Sequence, residues 1–362
     1  MDELRALLET IRPLDAGAME AARAWQARLA KPPGSLGKLE DIAVRLAGIT
    51  GRVHNTLRDK RILVFCGDNG VVEEGIGSAP RTVTAAQAVN MTRYCTGMSA
   101  MARYFGDRVV VVDVGIADPY DCPEILCRKI ASGTRNLCRE PAMTRQETMQ
   151  AIRTGWETAV ENAQDGADVL GIGEMGIGNT TTSAAVLSAL TGLDPAEVTG
   201  RGGGITDESF ARKKEVVARA LALHRPRRED PVDVLSKVGG LDLAAMCGAF
   251  LGAAAERRPV VADGFISVVA ALCAARLCPA VGEYVFGSHA SFERGYAAAA
   301  AELKLEPWLR LDMRLGEGSG CPLAFEVMDA ACAAANGMAT FEGAAIDDGY
   351  LDAIRGKDCF TV

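Results

Sequence analysis

Four short runs limit most strongly what this chain can fold into: "RILVFCGDNG" at 61–70, "RVVVVDVGI" at 108–116, "ADVLGIG" at 167–173 and "RPVVADGF" at 258–265. Each is a bounded, near-continuous apolar stretch, rich in β-branched residues, that runs into a glycine turn. A strand with one wet face alternates apolar and polar residues, whereas a strand covered on both faces need not. The runs therefore predict buried parallel strands. Helical patterns lie between them. Over 145–164, Met149, Ile152, Trp156, Val160 and Ala163 recur at three- and four-residue steps and mark one helix face. Strands alternating with helices predict an α/β fold on a parallel sheet. Residues 1–55 and 328–362 read mainly as helices, with a break at "KPPGSLG" (31–37). They predict a small helical domain built from both chain ends beside an α/β domain over 56–327.

Composition narrows the function. A chain of 362 residues suits one large or two modest domains, and a core with 5% aromatics and abundant Ala and Gly suits close helix–sheet packing. Net charge is -8, from 39 basic and 47 acidic residues. That argues against nucleic acid as the main partner, because binding a phosphate backbone wants a basic face. The start, "MDELRALLET", lacks a signal peptide's basic and apolar regions. The apolar stretch Leu243–Ala255 is broken by glycine and falls short of the ~20 residues a membrane span needs. A cytoplasmic protein with no membrane span is expected. The 11 cysteines are scattered without a CxxC pair, and the three histidines, His54, His224 and His289, lie far apart in sequence. Reduced, mostly buried thiols are expected, and neither a His-based triad nor a metal centre is.

The chemistry concentrates in three glycine-framed segments. The first, "GIGEMGIGNTTTSAA" (171–185), contains G-x-G-x-x-G. A strand over 167–172 enters it. A helix over 180–191 leaves it and ends at Gly192, with Thr180, Thr181 and Thr182 available as caps or donors. Strand, glycine loop and helix N-terminus together make a phosphate-binding geometry; the same glycines would also serve a tight packing turn. A dinucleotide fingerprint normally opens the first βαβ unit and is followed about 20 residues on by an acid at a second strand end. Here two strands precede the motif, and Asp194 and Glu197 fall in a turn, "GLDPAEVTG". No Lys-Ser or Lys-Thr follows, so it is not a P-loop either. The second segment, "GRGGGITDESFARKKEVV" (200–217), offers Gly202, Gly203 and Gly204 before a helix capped by Thr206. Lys213 lies about two turns in, within reach of a phosphate or of solvent. The third, "MRLGEGSGCPLA" (313–324), sets Glu317 between two glycines. Such a carboxylate is either solvated or pressed against a ligand; desolvation would raise its pKa and make it a base.

Eight motifs in order resemble one family across nearly the whole chain: "KPPGSLGKLE" (31–40), "GDNGV" (67–71), "VTAAQAVNMTR" (83–93), "DVGI" (113–116), "GIGEMGIGNTTT" (171–182), "DVLSKVGG" (233–240), "DGFIS" (263–267) and "RLGEGSG" (314–320). The family is nicotinate-nucleotide–dimethylbenzimidazole phosphoribosyltransferase, which prepares the lower ligand of cobalamin. The resemblance implies a Rossmann-like sheet with a small helical domain, a homodimer, and a reaction without metal or cofactor. Its implied substrates are nicotinate mononucleotide and 5,6-dimethylbenzimidazole, and its products are α-ribazole 5'-phosphate and nicotinate. It implies Glu317 as general base. Gly176, Asn179, Thr180, Gly202, Gly203, Lys213 and Ser291 would bind phosphate and ribose. Gln87, Glu174, Met175 and Leu315 would form the base pocket, although Met175 also suits ordinary core and His289 a structural role. Asn69 and Ala79 stand where relatives often carry His and Ser, and Ala79 leaves the choice of aromatic base open. The alternatives are a relative activating another base, such as adenine or a phenol, and a non-catalytic nucleotide-binding protein. A nicotinamide-dependent oxidoreductase is a weaker third.

Overall fold

The structure, a computed structural model, describes residues 2–354. The last part of the expected C-terminal helical segment, residues 355–362, lies outside the described residues. The chain forms two compact units, one of residues 2–12 and 59–324, the other of 13–58 and 325–354. The first unit holds a six-stranded sheet: β1 (Lys60–Gly67), β2 (Arg108–Gly115), β3 (Leu126–Cys127), β4 (Val169–Met175), β5 (Val260–Ala262) and β6 (Val285–Gly287). All neighbours pair in parallel, in the order β3-β2-β1-β4-β5-β6. All seven residues of β4 are buried, as are the last seven of β1, which accounts for their unbroken apolar runs. The sheet grows outward from β1 through β2 to β3. It then restarts on the other side of β1 with β4. Such a reversal opens a crevice at the strands' carboxyl ends, where open α/β sheets bind ligands.

The helices follow their sequence cues closely. Arg145–Gln164 begins with a reciprocal cap: the Thr144 side chain accepts from the Glu147 N–H, and the Glu147 carboxylate accepts from the Thr144 N–H. Leu241–Ala255 is apolar all round because it is buried, packing on β1, β2, β4 and β5 and against Arg145–Gln164. The two helices approach so closely that a Cβ at Gly155 would lie 1.7 Å from the Ala245 carbonyl oxygen, and one at Gly248 1.8 Å from that of Ile152. This contact is where the Ala- and Gly-rich composition acts. Among the described residues no helix is long and apolar enough to cross a membrane.

Two expectations are corrected. The first helix, Asp2–Leu8, belongs with the α/β unit rather than with the other N-terminal helices. The strand expected to stop at Ile172 runs on to Met175, so Gly173 is a strand residue as Gly171 is. In the second unit, Ala16–Arg28 is capped by Asp15, whose carboxylate accepts from the Ala18 N–H, and Lys38–Thr50 ends at Gly51 in the left-handed region. Residues from both chain ends meet there: Trp25 Nε1 donates to the Ala335 carbonyl at 2.7 Å, and Asn336 Nδ2 to that of Asn55 at 2.8 Å. The ten described cysteines are all free; Cys66, Cys247, Cys273, Cys321 and Cys332 are buried, while Cys95 and Cys127 are exposed.

Replacing Gly248 by Ala forces the two closely packed helices apart. We expect a loss of at least about 2 kcal/mol in urea unfolding; an unchanged midpoint would mean that the contact carries no strain.

Candidate active site

A cleft of about 240 Å³ opens in the α/β unit, and all twelve site residues expected above line it. Its floor is the carboxyl end of β4. There Glu174 is buried, and its carboxylate accepts from Asn179 Nδ2 and, at 3.2 Å, from the Glu317 backbone N–H. Asn179 Nδ2 also donates to Asp242 Oδ2 at 3.2 Å, so one amide bridges two buried acids. Burial raises both: Glu174 to about 8, with the Asp242 charge adding to the effect, and Asp242 to about 7. Met175 is buried and Gly176 turns the chain; a Cβ at Gly176 would lie 2.3 Å from the Gly67 carbonyl. The next helix, Asn179–Thr191, starts from Gly178 at φ 94°, without a side-chain cap. Thr180 therefore does not cap it, one of the two roles open to it from the sequence. Its hydroxyl instead accepts from Lys213 Nζ at 2.8 Å.

The second wall is the Glu317 turn. Gly316, Glu317 and Gly318 have φ of 81°, 64° and 85°, three successive left-handed residues. Glycine adopts this region freely, but a glutamate must be held there. Asp263, just beyond β5, supplies the hold: its two carboxylate oxygens accept from the N–H groups of Gly318, at 3.0 Å, and Gly320, at 2.6 Å. The turn lies on β4 where Gly173 has no side chain; a Cβ there would come within 2.7 Å of the Glu317 carbonyl and the Gly318 backbone. The Glu317 side chain is almost wholly buried. Gln87 Nε2 lies 3.5 Å from its Oε1, and Oε2 has no hydrogen-bond partner. Burial pushes its pKa up and the Asp263 charge adds to that, while the nearby Thr96 and Gln87 side chains pull it back. Leu315 stands half-exposed at the lip. His289 is buried and lines the cleft, its Nδ1 3.0 Å from Ser288 Oγ and 3.8 Å from Asp263 Oδ1.

The third wall is the second glycine segment. Gly202 takes φ 58° and Gly204 φ 104°, and a Cβ on Gly203 would meet nothing within 4 Å. Thr206 caps Asp207–His224 by accepting from the Ser209 N–H at 3.2 Å. Lys213 on that helix is only 2% exposed, so it is not a solvated surface lysine. Burial lowers its pKa to about 8, against the opposing pull of Glu293. Ser291 Oγ accepts from the Glu293 N–H at 3.3 Å.

The sequence reading overlooked Asp242, Asp263 and Glu293. Only Asp263 carried a usable signal: an acid followed by glycine at the carboxyl end of a buried strand. The G-x-G-x-x-G match gives no dinucleotide loop, because its first two glycines lie inside β4.

A family model described as phosphoribosyltransferase matches residues 11–346. The nicotinate-nucleotide–dimethylbenzimidazole phosphoribosyltransferase of Clostridium perfringens is 49% identical over 359 residues, 99% of either chain. That of Chloroflexus aggregans is 48% identical over 349 residues, 96% of this chain and 99% of the other. This chain belongs to that phosphoribosyltransferase family. The crystal structure of the Thermus thermophilus member superimposes with a TM-score of 0.87 at 39% identity, covering 93% of this chain and all of the other. Family membership accounts for the parallel sheet flanked by helices.

The buried acids make stability depend on pH. Glu174 titrates near 8 in the folded protein against an ordinary 4.5, so between those values the folded state holds a proton that the unfolded chain has released. Stability of the empty protein should therefore fall as pH rises through this window. Glu174→Gln should flatten the fall in denaturant titrations from pH 5 to 8; an equally steep fall would assign the protons elsewhere.

Proposed function

We propose that this phosphoribosyltransferase moves the 5-phosphoribosyl group of nicotinate mononucleotide to 5,6-dimethylbenzimidazole in the cleft described above, with Glu317 as the general base. The observation that carries the assignment is the Glu317 carboxylate: fixed in a left-handed turn, buried, raised in pKa, and with Oε2 lacking a partner. The acceptor base attacks through its unprotonated ring nitrogen at the anomeric carbon. As the new C–N bond forms, the bond to the pyridine nitrogen breaks and its electron pair returns to that ring. The pyridinium leaves as neutral-ringed nicotinate and needs no proton. The attacking benzimidazole would become cationic were its N–H retained. Glu317 takes that proton, neutralising the charge and sharpening the nucleophile, an effect typically worth about 10²–10⁴ in rate. Displacement from the face opposite the leaving group inverts the anomeric centre and gives α-ribazole 5'-phosphate.

The remaining walls divide the binding. Lys213, Thr180, the Gly202–Gly203 backbone and Ser291 suit the 5'-phosphate and ribose, joined by Gly176 and Asn179 at the turn after β4. Gln87, Glu174, Met175 and Leu315 suit a flat base, with apolar faces and few directed polar groups. A protonated Glu174 can donate to a ring or to nicotinate, while its other oxygen still accepts from the Glu317 N–H. The same reading makes the enzyme a cytoplasmic homodimer, and light scattering tests the dimer directly.

Glu317→Gln should keep its melting temperature and KM but lose about 10²-fold or more in kcat; near-native turnover would remove Glu317 as the base. Lys213→Met should raise KM for nicotinate mononucleotide with a smaller effect on kcat. An unchanged KM would separate this lysine from the phosphate. Product formed from adenine or a phenol, and not from 5,6-dimethylbenzimidazole, would reassign the acceptor.

A further inference from the structure

The end of the cleft assigned above to the phosphate already contains a carboxyl group. Glu293 follows β6 in the segment that carries Ser291, and its carboxylate lines the cleft with Lys213 and Gly202. Glu293 is 9% exposed, and its Oε2 is buried with no hydrogen-bond partner. Space for that oxygen exists only because residue 200 is glycine: a Cβ on Gly200 would lie 1.9 Å from Glu293 Oε2. The charges around it are those expected of a phosphate site. Burial pushes the Glu293 carboxyl up, while the Lys213 ammonium, the Gly202 backbone N–H and the Arg314 guanidinium pull toward its ionised form. Ser291 is engaged as well, through its hydroxyl accepting from the Glu293 N–H.

We propose that Glu293 is the resident anion of the phosphate pocket: it neutralises Lys213 and the Gly202 amide between turnovers and gives them up to an incoming phosphate monoester. This rests on the substrate placement given above, with the phosphate at Lys213. An ammonium buried this deeply, with the Thr180 hydroxyl as its hydrogen-bond partner, is costly, and a carboxylate in the same pocket lowers the cost. Burial nevertheless works against both charges, pushing the Glu293 carboxyl up and the Lys213 ammonium down. With one oxygen unpartnered, the carboxylate is held less firmly than a phosphate would be, since phosphate can use Lys213, the glycine amides and Ser291 together. Two anions competing for one buried cation keep phosphate affinity below what Lys213 alone would give. A phosphorylated product can then leave.

The test is calorimetric titration of inorganic phosphate into wild type, Glu293→Gln, Glu293→Asp and Lys213→Met at fixed pH and ionic strength. Glu293→Gln should bind phosphate about tenfold or more tightly. Glu293→Asp, whose shorter side chain draws the charge back from Lys213, should fall between it and wild type. Lys213→Met should abolish binding. Unchanged or weaker binding by a Glu293→Gln protein of native melting temperature overturns the proposal; if that variant does not fold, the same result with Glu293→Asp does so. Phosphate affinity unaffected by Lys213→Met overturns this proposal and the substrate placement together. Binding needs no turnover. A wild type that takes up phosphate through Lys213 but makes no α-ribazole 5'-phosphate would therefore defeat the proposed reaction and leave the role of Glu293 intact.

Discussion

The cleft depends on a close backbone approach between β4 and the Glu317 turn. Strand residues rarely lack a side chain, and Gly173 weakens β4 as a strand. In exchange it lets the Gly316–Gly318 backbone lie directly on the sheet, within 2.7 Å of where a Cβ would be. The turn is then gripped from two sides. Asp263 takes two of its N–H groups and Glu174 takes a third. Backbone groups held by carboxylates from two different strand ends fix the position of residue 317 to that of the sheet itself. A reactive side chain placed this way needs little reorganisation when it acts.

The same geometry explains the concentration of acids. Glu174, Asp242, Asp263, Glu293 and Glu317 are all buried in or behind the cleft, and Lys213 is the matching buried cation. Leaving so many carboxylates ionised would be costly, so burial raises their pKa values. On the reading proposed here the substrate resolves part of this tension. It brings a pyridinium cation to the acidic end and a phosphate to the lysine end, and the cation is destroyed as the bond breaks. Stability of the empty protein and affinity for the substrate thus draw on the same buried charges.

Much of this was legible in the sequence, and the failures have physical causes. The four apolar runs contain strands β1, β2, β4 and β5, and the three- and four-residue spacing of 145–164 is a helix with those bounds. β3 and β6 have two and three residues and, unlike the equally short β5, no β-branched run leading into an acid and glycine to mark them. The end of β4 is the hard part to read, because Gly173 looks like a turn residue and serves instead as a contact point in a strand. Thr180 reads as a cap or a donor; Gly178 opens the helix and leaves the hydroxyl for Lys213. Local sequence showed which segments carry chemistry; it could not show that Asp242, Asp263 and Glu293 converge on them, because that convergence is set by the strand order.

The most direct test of Glu317 as the base is a crystal structure of the protein with α-ribazole 5'-phosphate. We expect the unsubstituted ring nitrogen of the base within hydrogen-bond reach of a Glu317 carboxylate oxygen, about 2.6–3.2 Å, and the phosphate on Lys213. A base nitrogen facing solvent or another side chain, with Glu317 left out of contact, would contradict that assignment.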